Sequence, residues 1–219
     1  MGKLIDLLSN YPKSIRDIDE RGIRKTDYDR AIASNFGQEY FDGDRRYGYG
    51  GYNYDPRFWQ PVVPSMKSHF DLSSHTSLLD VGCAKAFMLH DLKQLIPGMV
   101  VRGVDISEYA IEHAINDMKE NVQVADARAL PFGDNSFDVV ISITTLHNLD
   151  RNGCAMALRE IERVGRGKAF ITVDAYRNEN EKKRMNDWNL TAKTVMHVNE
   201  WESFFDEVGY TGDYFWFIP

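Results

Sequence analysis

Three aspartates, Asp80, Asp105 and Asp126, follow one another at intervals of 25 and 21 residues. Each closes a short apolar run, and a fourth, Asp174, closes another. Any one of them could simply cap the helix that follows. Three at the pitch of one strand-plus-helix unit describe a ligand site better. The turn after the first, Asp80-Val81-Gly82-Cys83-Ala84-Lys85-Ala86, lets backbone come close to a ligand, because Gly82 can adopt positive φ. Asp105 is placed to accept from both hydroxyls of a ribose, and Asp126 from an exocyclic amine such as adenine N6. The turn is not a G-x-G-x-x-G dinucleotide fingerprint, since neither Ala84 nor Ala86 is glycine. Asp80 would also repel a pyrophosphate. These demands suit an adenosine joined to a cationic amino-acid end, as in S-adenosylmethionine, whose demethylated product is S-adenosylhomocysteine.

A second set of chemical groups leaves the fourth and fifth apolar runs. Thr144-Thr145-Leu146-His147 brings a histidine to the same edge, and His147 is the best-placed base because its ordinary pKa lies nearest neutrality. The alternative is that it packs or caps the next helix. Asp174 and Tyr176 are second candidates for the reacting end. The six histidines show no metal-ligand spacing, so no metal is expected.

The elements that must position these groups are legible as alternation. Apolar runs at 77–81, 99–105, 121–126, 137–144 and 168–174 read as buried parallel strands. Between them, 87–95, 107–119 and 153–164 have helical spacing, with Ser107 as N-cap and Ile106 and Ile111 placed as a hydrophobic staple. A polar helical insertion follows at 178–194, and Met185, Trp188 and His197 in or after it are candidates for a substrate lid or for core. A helix capped by Asn199 with Glu202 and stopped by Gly209 precedes a final strand. The expected fold is α/β: a doubly wound, mostly parallel sheet. Residues 1–56 differ. A short helix at 28–36, stopped by Gly37, leads into a Tyr- and Gly-rich stretch from Tyr40 to Trp59. We read this as an ordered arm that folds back over the domain at 57–219. Exposed aromatic faces would otherwise leave apolar area in water.

The 219 residues carry 26 Lys and Arg against 33 Asp and Glu, a formal net charge of −7. That balance argues against a nucleic-acid-coating surface. Two cysteines, Cys83 and Cys154, fit a reduced compartment. No apolar run reaches the roughly 20 residues that span a bilayer, and no signal-peptide core is visible, so the expected place is the cytoplasm.

Over roughly 100 of the 219 residues the chain resembles the class I S-adenosylmethionine-dependent methyltransferases, especially their small-molecule "type-eleven" group. The phrases LLDVGCAKAF, GVDIS, ADARALPFGDNSFDVVIS and TTLHNL carry the likeness, and LPFGDNSFDVVIS is its most specific part. The family's first turn normally reads D-x-G-x-G-x-G, from which Ala84 and Ala86 depart. The resemblance implies that Gly82, Cys83 and Ala84 contact the methionine portion and that Asp105 holds the ribose. It implies that Ile106 packs on adenine, that Asp126 and Ala127 address its edge, and that Ile143 and Thr144 pass beneath the sulfonium. It also implies a reversed hairpin at the end of the sheet, of which only one strand is visible here, so the C-terminal edge is expected to be abbreviated. The reading is methyl transfer to a small molecule, at an oxygen of a sugar or phosphorylated metabolite. Tyr47 and Tyr49 of the arm are expected at the methionine end, and Arg45, Tyr52 and Tyr176 at the acceptor. The alternatives are a cofactor-binding protein without turnover and an N- or RNA methyltransferase.

Overall fold

The computed structural model describes residues 2–13, 17–48 and 53–219. Before the sheet lie α1 (Ile18–Arg24), α2 (Asp27–Ala33), α3 (Gln38–Phe41), α4 (Pro56–Trp59) and α5 (Val63–Phe70). Then follow β1 (Ser77–Val81), α6 (Phe87–Leu95), β2 (Val100–Asp105), α7 (Glu108–Glu112), β3 (Val122–Val124), β4 (Val139–Ile143) and α8 (Arg151–Val164). The chain closes with β5 (Ala169–Tyr176), α9 (Glu179–Trp188), β6 (Met196–His197), α10 (Val198–Val208) and β7 (Asp213–Phe217).

The seven strands form one sheet in which β3, β2, β1, β4 and β5 are neighbours in that order, with β6 and β7 both pairing β5. Every pairing is parallel. Parallel strands need both faces covered, which is why β1, β4 and β5 are nearly continuous apolar runs. One core packs Leu79, Val140 and Ile171 against Leu158 and Ile161 of α8 and Trp201 and Phe205 of α10. The other packs Leu78, Val139 and Phe170 against Met66 of α5 and Leu89 and Leu92 of α6. The doubly wound sheet is thus as expected, and it places the ends of β1, β2, β4 and β5 side by side.

Several local expectations are corrected. The last strand is not reversed: β7 runs parallel to β5, with Phe170 opposite Asp213 and Asp174 opposite Phe217. The start of the chain covers part of β7, since Ile5 N–H donates to Tyr214 O (3.0 Å) and Tyr214 N–H to Lys3 O (3.0 Å). The helix after β2 keeps Ser107 as N-cap but ends at Glu112, because Ile115 N–H is diverted to the carbonyl of Lys85 (3.0 Å). The staple is not made, as Ile111 joins the core while Ile106 stays 55% exposed. β3 spans three residues only, and Asp126 lies in the loop beyond it. His197 rather than Asn199 caps α10, its ring accepting from Asn199 N–H (3.2 Å) while Glu200 accepts from His197 N–H (2.9 Å). In the arm, Thr26 and Asp29 form a capping box for α2, and Gly37 opens α3 instead of stopping a helix.

The arm is fastened at several points. Lys25 Nζ caps the C-terminal end of α9, donating to the carbonyls of Asn186 (2.8 Å), Asp187 (2.9 Å) and Asn189, while Arg21 Nε reaches Trp188 O (2.9 Å). Cations at that end also complement the helix dipole. So the N-terminal helices and the polar insertion clasp one another.

Candidate active site

A cleft of about 2340 Å³ opens over the C-terminal ends of the strands, roofed by the arm and by α9. Such sheets bind ligands there because the crossover loops diverge. The β1–α6 turn forms its floor. Gly82 has φ of 89°, and a Cβ there would overlap the Thr145 side chain, so the turn and the β4 end lie in direct apposition. Ala84 and Ala86, the two residues that depart from glycine, have φ of 48° and 63°. They adopt the left-handed conformation that glycine takes freely, and each stores about 1–2 kcal/mol of backbone strain. Cys83 is buried with its thiol against Gly103, where an added Cβ would lie 2.7 Å from Sγ.

Asp105 at the end of β2 braces this turn. Its Oδ2 accepts from Ala84 N–H (2.8 Å) and its Oδ1 from Ser107 N–H (2.9 Å), leaving lone pairs on both oxygens toward the cleft it lines. Asp80 differs. It is 4% exposed, lines the same floor, and no hydrogen bond from a described residue reaches its carboxyl. Burial, aided by the Asp105 charge, pushes its pKa up to about 8. An unpartnered buried carboxyl is costly unless a cation meets it. An ammonium placed over the turn would meet that need. Ile106 offers the exposed apolar surface that a purine face would cover. Asp126 and Ala127 also line the cleft. The Asp126 carboxylate is held by Arg128, with Nε at 3.0 Å from both oxygens, which keeps its pKa low.

At the ends of β4 and β5, Ile143, Thr144, His147 and Asp174 line the cleft. Thr144 has φ of 50°, unusual for a β-branched residue, and is held there by its N–H donating to Thr172 Oγ1 (2.8 Å). His147 is 5% exposed, and its Nδ1 accepts from the backbone N–H of Asp174 (3.1 Å). A backbone N–H can only donate, so the neutral ring carries its proton on Nε2. Burial lowers its pKa to about 3. Both facts count against the base role expected of it. Asp174 is 3% exposed, and burial raises its carboxyl to about 8. It lies 3.5 Å from His147 Nδ1 and lines the cleft.

The arm residues fall out differently. Arg45 lines the cleft, but Tyr47 is buried within the arm beneath Arg46, whose guanidinium stacks on its ring at 4.4 Å. Tyr49 and Tyr52 lie outside the described residues. Tyr176 is not brought to the cleft: it pairs with His197 across β5 and β6, its ring 5.7 Å from that imidazole and 5.2 Å from Lys182 Nζ. Of the lid candidates, Trp188 lines the cleft, Met185 is core, and His197 is the α10 cap.

Sequence reasoning missed one fastening of the site. Lys85, within the β1–α6 turn, is buried and pairs with both oxygens of Asp42 (2.6 and 2.8 Å), which also accepts from Tyr109 Oη (2.6 Å). A lysine inside a turn otherwise built of small residues was the available signal. Nothing in the arm marked Asp42. Among the described residues, no group of three or more His, Cys, Asp and Glu is placed to hold a metal. No helix there is long and apolar enough to cross a membrane.

Residues 79–173 match a family described as a methyltransferase domain. A tRNA (carboxymethyluridine(34)-5-O)-methyltransferase of Arabidopsis thaliana is 31% identical over 148 residues, 65% of this chain and 33% of that protein. The mitochondrial arginine-hydroxylase NDUFAF5 of Rattus norvegicus is 33% identical over 87 residues, 39% of this chain and 24% of that protein. The chain thus spans a third or less of the length of these relatives. A chain of the complex between the Haloferax volcanii Trm112 methyltransferase activator and a protein assigned as a methyltransferase shares the fold, with a TM-score of 0.56 at 19% identity, covering 90% of this chain and 77% of that one. The segment that carries Asp80, Asp105, Asp126 and His147 therefore belongs to the methyltransferase-domain family of the class I fold.

Proposed function

We propose that the chain is an S-adenosylmethionine-dependent methyltransferase acting on an oxygen of a small molecule. The observation that carries this reading is Asp80, a buried carboxyl without a partner among the described residues, set under the Gly82–Ala84 turn and next to Asp105. The residues present suit the cofactor at each point. Asp80 answers its ammonium, the backbone of Gly82, Cys83 and Ala84 lies against the methionine chain, and Asp105 accepts from the ribose. Ile106 covers one adenine face, while Asp126 and Ala127 border its edge. When bound, S-adenosylmethionine supplies an electrophilic methyl on a sulfonium. What remains for the protein is alignment of the acceptor and exclusion of water. Ile143 and Thr144 shape the wall beside the methyl, and Arg45, Trp188 and Asp174 border the space beyond it. An oxygen acceptor agrees with the O-methyltransferase activity for which the Arabidopsis relative is named. The net charge of −7 speaks for a small acceptor over a nucleic acid, and with the two reduced cysteines the reading places the chain in the cytoplasm.

The test is calorimetry with S-adenosylmethionine and S-adenosylhomocysteine, followed by transfer of a labelled methyl to a small-molecule extract. Binding and transfer are expected. Binding with no transfer would favour a protein without turnover, and no binding would refute the cofactor.

A further inference from the structure

We infer that the acceptor is a carboxylate, methylated on oxygen to give a methyl ester. This rests on the reading above and specifies its substrate. A sugar hydroxyl must lose a proton as it is alkylated, so its site needs a base beside the methyl. The ring nitrogen and hydroxyl groups at the ends of β4 and β5 are committed elsewhere, and burial keeps the proton on the Asp174 carboxyl up to about pH 8. The lone pair of His147 Nδ1 is taken by Asp174 N–H (3.1 Å). Thr144 Oγ1 and Thr145 Oγ1 donate back to the Ile143 carbonyl (2.8 and 3.1 Å), and Thr172 Oγ1 accepts from Thr144 N–H (2.8 Å). That leaves the ring Nε2–H of His147 as a donor. The Asp174 carboxyl, 4% exposed, is a second donor while it keeps its proton. A ring donor and a protonated carboxyl at the strand ends, both nearly buried, suit an acceptor that arrives already anionic.

The surrounding cations agree. Lys193 is tied to this strand end, its N–H donating to His147 O (2.9 Å), and its exposed side chain lines the cleft and enters no ion pair with a described residue. Arg45 lines the cleft from the arm and likewise has no described carboxylate partner. Arg184 lines the same wall, its Nε reaching only the carbonyl of Pro219 (3.3 Å). In a chain of net charge −7, where Arg57, Lys85, Arg128 and Arg177 of the same cleft are neutralised by neighbouring carboxylates, Lys193 tied to His147, with Arg45 and Arg184 on the cleft lining, leaves positive charge for an anion. The step balances without a base. One carboxylate oxygen forms the new O–C bond to the methyl, the C–S bond breaks with its electron pair staying on sulfur, and no proton moves. The second carboxylate oxygen stays with His147 Nε2–H and the Asp174 carboxyl.

The experiment uses the purified chain with methyl-labelled S-adenosylmethionine, offered a small-molecule extract together with a panel of mono- and dicarboxylic acids and their primary amides. Products are treated with mild alkali and the volatile methanol is counted. Methyl esters release their label, whereas ethers and N-methyl groups keep it. Alkali-labile label, from acids and not from amides, is the expected result. Lys193→Gln, an exposed side chain whose loss leaves the fold intact, should raise KM for the acid about tenfold, as for one lost charged hydrogen bond, with S-adenosylhomocysteine affinity unchanged. Alkali-stable label overturns the carboxylate assignment, whereas a protein that binds S-adenosylhomocysteine yet labels nothing overturns the methyltransferase reading on which it rests. Failure to bind S-adenosylhomocysteine would refute the underlying reading instead.

Discussion

Replacing Ala84 and Ala86 by glycine should make this protein more stable, although glycine usually weakens folded chains. Both alanines sit at positive φ, 48° and 63°, where an L-residue is strained by about 1–2 kcal/mol. Glycine removes that strain but adds about 0.5–1 kcal/mol of backbone entropy to be lost on folding. The difference is a gain of about 0.5–1 kcal/mol at Ala84; at Ala86, whose methyl is fully buried in the core, about 0.8 kcal/mol of lost burial offsets it, so Ala84→Gly with Ala86→Gly gains about 0.5–1 kcal/mol. For a chain of this size that corresponds to a rise in Tm of about 1–4 °C. Thermal melts and urea midpoints with unchanged m-values measure it. Ala31→Gly on an exposed position of α2 is the control, and should cost about 1 kcal/mol. If the turn variants melt at or below the wild type while the control behaves, the strain argument is wrong and the turn relaxes by another route.

Asp105→Ala should weaken S-adenosylhomocysteine binding by about 1–3 kcal/mol, the range for a lost charged hydrogen bond, and unchanged affinity in a folded variant would remove Asp105 from the site. NAD and NADP should not compete, which a displacement titration checks. Asp42→Asn strips the charge from the partner of a lysine side chain that is 6% exposed, and should destabilise the protein by about 1–3 kcal/mol while speeding proteolysis within the arm. Equal cleavage rates would show the arm is held elsewhere. For pH, the Asp174 carboxyl has its pKa raised to about 8, so the folded state binds more protons than the unfolded one between about pH 4 and pH 8. Its contribution to stability is therefore full at low pH and lost as pH rises through that window. His147, lowered to about 3, acts oppositely, costing stability as pH falls below about 6.5. Urea midpoints across the range should show a slope that Asp174→Asn flattens above about pH 5; parallel curves for the two proteins would contradict it.

The sheet and the carboxylates along its cleft edge were legible in the sequence because their signals are local. A buried parallel strand must be apolar on both faces, so 77–81 reads directly as β1, and helical spacing at 87–95 returns α6 residue for residue. Asp80, Asp105 and Asp126 stand out for the same reason: each stands at or just past the end of its own strand and needs no partner to be recognised. What the tertiary structure decided depends on pairs far apart in the chain, which leave no periodic trace. Lys85 and Asp42 are 43 residues apart, and their ion pair is visible only once the arm is laid against the turn. The diversion of Ile115 to Lys85 O, which shortens α7, and the parallel placement of β7 beside β5 have the same origin. Most consequential is His147. Its residue type suggests a base, but a backbone N–H from the neighbouring strand takes its lone pair and burial keeps the ring neutral. A side chain's identity sets what chemistry is available to it. Its burial and its hydrogen-bond partners, which exist only in the fold, decide which of those chemistries it performs.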